Sequence, residues 1–178
     1  MAFERPHRHR IRLAPSAYAE VGTIFSVTIC VKDRVPVFTS DAVARAAVQV
    51  LEQLARQLAV PVYAWCVMPD HVHLVVGPSS QCDVVTFVGR FKNLSLRAAW
   101  RLGVVGAFWQ TSFWDHAIRR DEQLRDAIAY VFANPVRAGL VADSAEYAHC
   151  GGYLGPVGNE IVGTAGDKPP PYGLTNSR

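Results

Sequence analysis

Hydrophobic positions in this chain follow two periods, and the switches between them mark its elements. Residues 23–31 (TIFSVTICV) are rich in β-branched and aromatic side chains and predict a first strand. From Ser40 or Asp41, either of which can cap a helix, Val43, Ala47, Val50, Leu51, Leu54 and Leu58 recur at helical spacing. Pro61 stops that helix. Residues 62–67 and 71–77 then predict a hairpin that turns at Pro69-Asp70. A second amphipathic helix over residues 84–102 buries Phe87, Phe91, Leu94, Ala98 and Leu102. After a flexible break at residues 103–106, residues 113–118 predict a fourth strand. A third helix spans residues 122–134 and ends at Asn134, because proline follows. The order β-α-β-β-α-β with a closing helix predicts an α+β ferredoxin-like sandwich.

The chain has 178 residues, half of them apolar and 19% charged, which suits one domain with a substantial core and excludes general disorder. Residues 1–22 form a basic arm with Arg5, Arg8, Arg10 and Arg12, residues 23–150 the domain, and residues 151–178 an irregular Gly/Pro-rich tail. The net charge of +3 and pI of about 8.8 are compatible with nucleic acid without demanding it. Cys30, Cys66, Cys82 and Cys150 are scattered, with no C-x-x-C pair, which favours reduced thiols over a disulfide framework or zinc ribbon. Neither a charged-then-apolar leader nor an apolar run of ~20 residues is present, so a cytoplasmic protein with no membrane partner is expected.

Chemistry enters at residues 68–76 (MPDHVHLVV). Alternation along a strand puts His71 and His73 on one face and Val72, Leu74 and Val76 on the other. One face then suits a core, and the other presents two imidazoles as half of a metal site. An isolated H-x-H is more often a pair of hydrogen-bonded strand histidines, and that reading stands on these residues alone. On the third helix, Leu124, Ala127, Ile128, Val131 and Phe132 share an apolar side. Tyr130 falls outside that stripe, and Asn134 sits one turn further on, where it can share a ligand with the phenol or simply cap the helix.

Four segments carry a family resemblance: MPDHVHLVV, FKNLSLRAAW at 91–100, FWQTSFWDHAIRRDEQL at 108–124 and YVFANPVRAGLV at 130–141. Together these resemble the REP-associated tyrosine transposases, which belong to the HUH single-strand DNA transposases. Asp70 departs from the pattern, in which asparagine follows M-P; aspartate keeps the turn chemistry and adds a carboxylate beside the histidines. The resemblance implies that His71, His73 and Asn134 hold Mg²⁺ or Mn²⁺ and that Tyr130 is the nucleophile. It implies cleavage and rejoining of DNA at palindromic repeat hairpins through a 5′-phosphotyrosine, by a monomer or homodimer that is nucleoid-associated when bound. An unperturbed phenol has a pKa of ~10, so attack at neutral pH requires a nearby cation or base.

Single-stranded or hairpin DNA is the expected partner. Arg90, Lys92, Arg97 and Arg101 on the second helix are candidate phosphate contacts, with Lys92 the foremost. Trp100, Trp109, Phe113 and Trp114 are candidate stacking platforms, although about half of such aromatics would be expected to fill the core. His116 matches a family position and is expected beside the DNA, outside the metal's own ligands. Two other readings compete: a domesticated hairpin-binding protein that has stopped cutting, and a small-molecule phosphohydrolase that uses H-x-H without the tyrosine.

Overall fold

The computed structural model describes residues 13–119 and 121–154. Residues 1–12 of the expected arm and the tail beyond 154, including its prolines, lie outside the described residues. The rest of residues 1–22 includes the turn Pro15–Tyr18, which packs Tyr18 into the core against Phe25. Four strands and three long helices follow the expected order, and a fifth strand, not expected from the sequence, comes after the last helix. They are β1 (Ile24–Cys30), α1 (Asp41–Gln57), β2 (Val62–Met68), β3 (His71–Val76), α2 (Val84–Arg101), β4 (Trp114–Ile118), α3 (Asp121–Arg137) and β5 (Cys150–Leu154). The sheet is antiparallel with strand order β4-β1-β3-β2-β5. Its first four strands have the order of the expected ferredoxin-like sandwich, and β5 extends the sheet beyond β2.

The alternation read from the sequence decides which layer each face supports. Phe25, Val27 and Ile29 of β1, with Val72, Leu74 and Val76 of β3, are fully buried. They share one core with Val43, Ala47, Leu51 and Leu54 of α1 and Val84, Phe87, Val88 and Phe91 of α2. The opposite face packs on α3 through a smaller cluster of Ala64, Cys66, Met68, Val75 and Val131. His71, His73 and Val75 alternate with the core residues of β3, so the histidines stand on the α3 face. The molecule thus has three layers, with the sheet between an α1–α2 layer and α3.

Four expectations are corrected. Leu94 and Leu102 are 41% and 48% exposed, because Leu94 lies at the margin of the one stripe α2 turns to the sheet and Leu102 is the C-cap, past the last helical residue. Helix α3 does not end at Asn134 but runs through Pro135 to Arg137. The proline leaves the Val131 carbonyl without its usual i+4 donor, and the Asn134 side-chain Nδ2 sits 3.5 Å from that oxygen and 2.7 Å from the Tyr130 carbonyl. The helix closes three residues later: Leu140 N–H donates to Pro135 O and Gly139 N–H to Val136 O, with Gly139 at φ +69°. That is the Schellman pattern.

The tail does not begin at residue 151, because residues 150–154 form strand β5 along β2. Gly151 stands opposite Trp65, whose ring lies where a Cβ would be, at 2.0 Å, so only glycine admits the indole. Finally, Cys66 and Cys150 are not free thiols but a disulfide between paired strand positions, whereas Cys30 and Cys82 are free and buried. The bridge arises from register: the two cysteines are 84 residues apart in sequence but directly opposed across β2 and β5.

Candidate active site

His71 and His73 open β3 immediately after the Pro69-Asp70 turn, and each ring is held through its Nδ1. His71 Nδ1 lies 2.5 Å from the Asp70 carboxylate, which in turn accepts from Arg34 Nη1 at 3.2 Å. A carboxylate only accepts, so a proton sits on His71 Nδ1, and in the neutral ring it is Nε2 that carries the lone pair. Partial burial pushes the Asp70 carboxyl up. The hydrogen bond and charge of His71, together with Arg34, outweigh that and hold it below the ordinary carboxylate value. Arg34 reaches Asp70 from a loop in which Asp33 and Arg34 both take left-handed φ, +54° and +56°, a conformation that costs a non-glycine residue ~1–2 kcal/mol. The turn is tied to the same loop by Val31 N–H to Asp70 O and Phe38 N–H to Pro69 O.

His73 Nδ1 lies 3.1 Å from Thr28 Oγ1, the residue opposite it on β1. A hydroxyl donates or accepts by rotating, so Thr28 accommodates either tautomer of His73. The two Nε2 atoms converge at 2.9 Å, where facing lone pairs require a proton or a cation between them. Ligands at ~2.1 Å in adjacent positions of an octahedral cation stand about 3 Å apart, so this pair has the spacing of two such ligands. Burial, then the charges of His71 and Arg34 against that of Asp70, push the His73 imidazole down to about 4. The ring is therefore neutral at pH 7, the form that ligates metals.

Helix α3 brings Tyr130 over these rings. Val131 anchors the helix in the core, and Tyr130, one residue back and 44% exposed, points off that stripe. Its ring meets His73 edge-to-face, with centroids 5.7 Å apart, and His73 meets His71 the same way at 4.6 Å. Three of the four residues expected to do chemistry therefore form one contiguous group within one chain. Asn134 is buried on the same helix, but its amide nitrogen is spent on the backbone of its own turn. No hydrogen bond or ring contact joins it to either histidine, and its Oδ1 is the acceptor left over.

The candidate DNA contacts separate by layer. Trp114 and His116 lie on β4, opposite Thr28 and Ser26, and so share the sheet face with His73; both are exposed. His116 lines a shallow depression with Leu13, Arg119 and Gln123. Arg90, Arg97 and Arg101 are exposed on α2, which covers the opposite face of the sheet, with Arg97 and Arg101 beside an α1–α2 groove. Trp100 bonds the Gly106 carbonyl at 2.8 Å.

Two candidates are built into the fold. Lys92 Nζ donates to the carbonyls of Gln110, Thr111 and Ser112 at 2.8, 3.5 and 2.9 Å, so its ammonium clamps the loop before β4. Trp109 packs among Phe38, Phe91 and Phe108 and donates to Ser95 Oγ at 3.1 Å, which corrects its assignment as a base platform. Sequence reasoning missed Thr28, Arg34 and Arg137. The Arg137 guanidinium stands 5.1 Å from the centroid of the Tyr130 ring. The signal was available, since a polar residue interrupts β1 at position 28 and Arg137 follows Tyr130 by two helical turns.

An antiparallel α+β sheet that offers an H-x-H pair to a helix-borne tyrosine is the architecture of HUH nucleases and transposases. The family described as "Transposase IS200 like" matches residues 22–131, which end one residue past Tyr130. A REP-associated tyrosine transposase of Escherichia coli (strain K12) is 31% identical over 85 residues, 47% of this chain and 49% of that protein. A putative REP-associated tyrosine transposase of Haemophilus influenzae is 25% identical over 133 residues, 67% of this chain and 74% of that one. The chain thus matches about half the length of the first relative and three quarters of the second. A solved REP-associated tyrosine transposase bound to a REP hairpin superposes with a TM-score of 0.63 at 21% identity, over 85% of this chain and 94% of that one, and agrees in fold. This chain belongs to the IS200-like transposase family, and among those relatives it is similar to the REP-associated tyrosine transposases.

Proposed function

We propose that the protein is a metal-dependent single-strand DNA transesterase that cuts and rejoins DNA beside palindromic hairpins, with Tyr130 as nucleophile. The observation that carries this reading is the contact of the Tyr130 ring with His73, whose Nε2 stands 2.9 Å from that of His71. His71, His73 and Asn134 Oδ1 are the proposed holders of Mg²⁺ or Mn²⁺. Among the described residues no group of three or more His, Cys, Asp and Glu can hold a metal, and the acceptor offered by the tyrosine helix is the Asn134 amide oxygen. A bound divalent cation supplies charge neutralisation at the scissile phosphate.

The chain's own residues account for the rest. Asp70 and Thr28 orient the imidazoles through Nδ1, so neither ring can turn its Nε2 away without losing a hydrogen bond. Tyr130 Oη attacks phosphorus, the P–O3′ bond breaks, the phenolic proton passes to solvent and the departing 3′ oxygen takes one up. The 5′-phosphate remains on Tyr130. A tyrosine phosphodiester conserves the energy of the broken bond, so a second 3′-hydroxyl reverses the step as strand joining without nucleotide hydrolysis. Tyr130 is half open to its surroundings, as a residue that must receive a polymer has to be. Exposed Trp114 and His116 on the same sheet face suit unpaired bases, since stacking contributes ~1–3 kcal/mol per base.

The test is cleavage of an end-labelled hairpin with single-stranded flanks, alongside its fully paired duplex, with Mn²⁺ or with excess chelator. The expected result is cutting of the hairpin substrate only, abolished by chelator. Equal cutting of duplex removes the single-strand assignment, and full activity in chelator removes the metal.

A further inference from the structure

Arg137 occupies a position that neither the metal pair nor the nucleophile explains. It lies two turns beyond Tyr130 on α3, and the helix keeps its register across Pro135. The guanidinium stands 5.1 Å from the Tyr130 ring centroid, within the range of a cation–π contact, while His73 meets the same ring edge-on at 86°. Arg34, Arg45 and Arg56 are taken by Asp70, Asp41 and Glu52, and the exposed Arg97 and Arg101 lie on α2, across the sheet from Tyr130, so Arg137 is set apart by its place beside the phenol ring. Among the described residues no carboxylate or carbonyl accepts from Arg137, so its fork of donors remains available beside the phenol.

We propose that Arg137 is a catalytic residue that binds the non-bridging oxygens of the scissile phosphodiester next to Tyr130. This inference rests on the transesterase reading and adds a residue to it. A phosphorus in attack range of Tyr130 Oη, ~3–3.5 Å, brings its oxygens within one side-chain swing of the guanidinium. Guanidinium matches the two non-bridging oxygens with parallel N–H donors, which a lysine ammonium cannot do. As the Oη–P bond forms and the P–O3′ bond breaks, negative charge grows on those oxygens. A fixed cation there stabilises the transition state more than the ground state. Arg137 keeps its proton throughout.

The bland role for a basic residue in the last turn of a helix is to offset the helix dipole, which any cation does. The experiment separates the two. Single-turnover formation of the covalent protein–DNA adduct is measured for wild type, R137Q and R137K with saturating labelled hairpin carrying a single-stranded flank, together with hairpin affinity and melting temperature. The expected rate loss is ~100-fold or more for R137Q and ~10-fold for R137K, with affinity within threefold and melting within a few degrees. R137K at the wild-type rate overturns the proposal in favour of a dipole role, and so does R137Q within threefold of wild type. An adduct of undiminished yield with Y130F sinks the transesterase reading itself, and Arg137 with it, whereas a wild-type adduct that Y130F loses and R137Q retains sinks only the Arg137 assignment.

Discussion

Each imidazole of the H-x-H pair is positioned by a single neighbour, and those neighbours set what substitution will do. Asp70 holds His71 by a charge-assisted bond that fixes which ring nitrogen carries the proton. Asp70→Asn keeps an acceptor but removes the charge, so Mn²⁺ affinity should fall about 10-fold by calorimetric titration. Unchanged affinity would mean that the Asp70 carboxylate does not act through His71. His73 yields a pH prediction for the metal-free protein. Its pKa falls from 6.5 to about 4 on folding, mainly by burial. Between those values the unfolded chain binds a proton that the folded protein does not, so stability declines as pH drops through the window and levels below it. The loss amounts to about 3 kcal/mol, an order-of-magnitude figure. Urea unfolding of wild type and His73→Asn in chelator should show the wild-type advantage shrinking from pH 7 to pH 4, whereas parallel curves would contradict it.

At the scale of elements, the strands and the first two helices were legible because their faces differ. The alternation of β1 and the 3.6-residue stripes of α1 and α2 each have one buried side, while β3, buried on both faces from Val72 on, is marked by its short β-branched run after the Pro69-Asp70 turn. What escaped was decided by partners distant in sequence. Residues 150–154 (CGGYL) have poor strand propensity, yet Gly151 is required by the indole of Trp65. A cation in an amphipathic helix does not reveal whether it meets DNA or carbonyls, and in Lys92 three carbonyls claim it. Pro135 predicts a stop for α3, but the Asn134 amide at the Tyr130 and Val131 carbonyls lets the helix pass, and Gly139 ends it. A Cβ at Gly139 meets nothing within 4 Å, so only backbone conformation opposes a side chain there. Gly139→Ala should therefore cost about 1 kcal/mol by denaturant titration. No measurable loss would place the end of α3 elsewhere.

Across the whole molecule, the sheet divides the large core from the candidate site. The α1–α2 face holds the large core, and the α3 face holds the histidines, Tyr130, Arg137 and Trp114 on a smaller one. The arginine ridge of α2 lies across the sheet from Tyr130, so its contribution to DNA binding should be electrostatic and remote from cleavage. Arg97→Gln should weaken hairpin binding modestly and reduce its salt slope by about one, leaving the single-turnover rate at saturating DNA unchanged. A loss of rate at saturation would place α2 beside the reacting phosphate.

The Cys66–Cys150 bridge ties β5 to the strand beside the site, over a sequence separation of 84. Closing a loop of that size constrains the unfolded chain by on the order of 4 kcal/mol. Cys150→Ser should lower the melting temperature by several degrees while the paired Nε2 atoms, carried by β3, keep their place. A variant as stable as wild type would remove the bridge from the account.

The central claim is that Tyr130 forms the phosphodiester bond to DNA, and the most direct measurement locates that bond. The protein is incubated with a labelled hairpin and Mn²⁺, denatured, digested with nuclease and trypsin, and the nucleotide-bearing peptide is sequenced by mass spectrometry. The account predicts a 5′-nucleotide on the peptide containing Tyr130 and its absence in Tyr130→Phe. A nucleotide on any other residue, or cleavage that leaves no covalent protein–DNA bond, would contradict it.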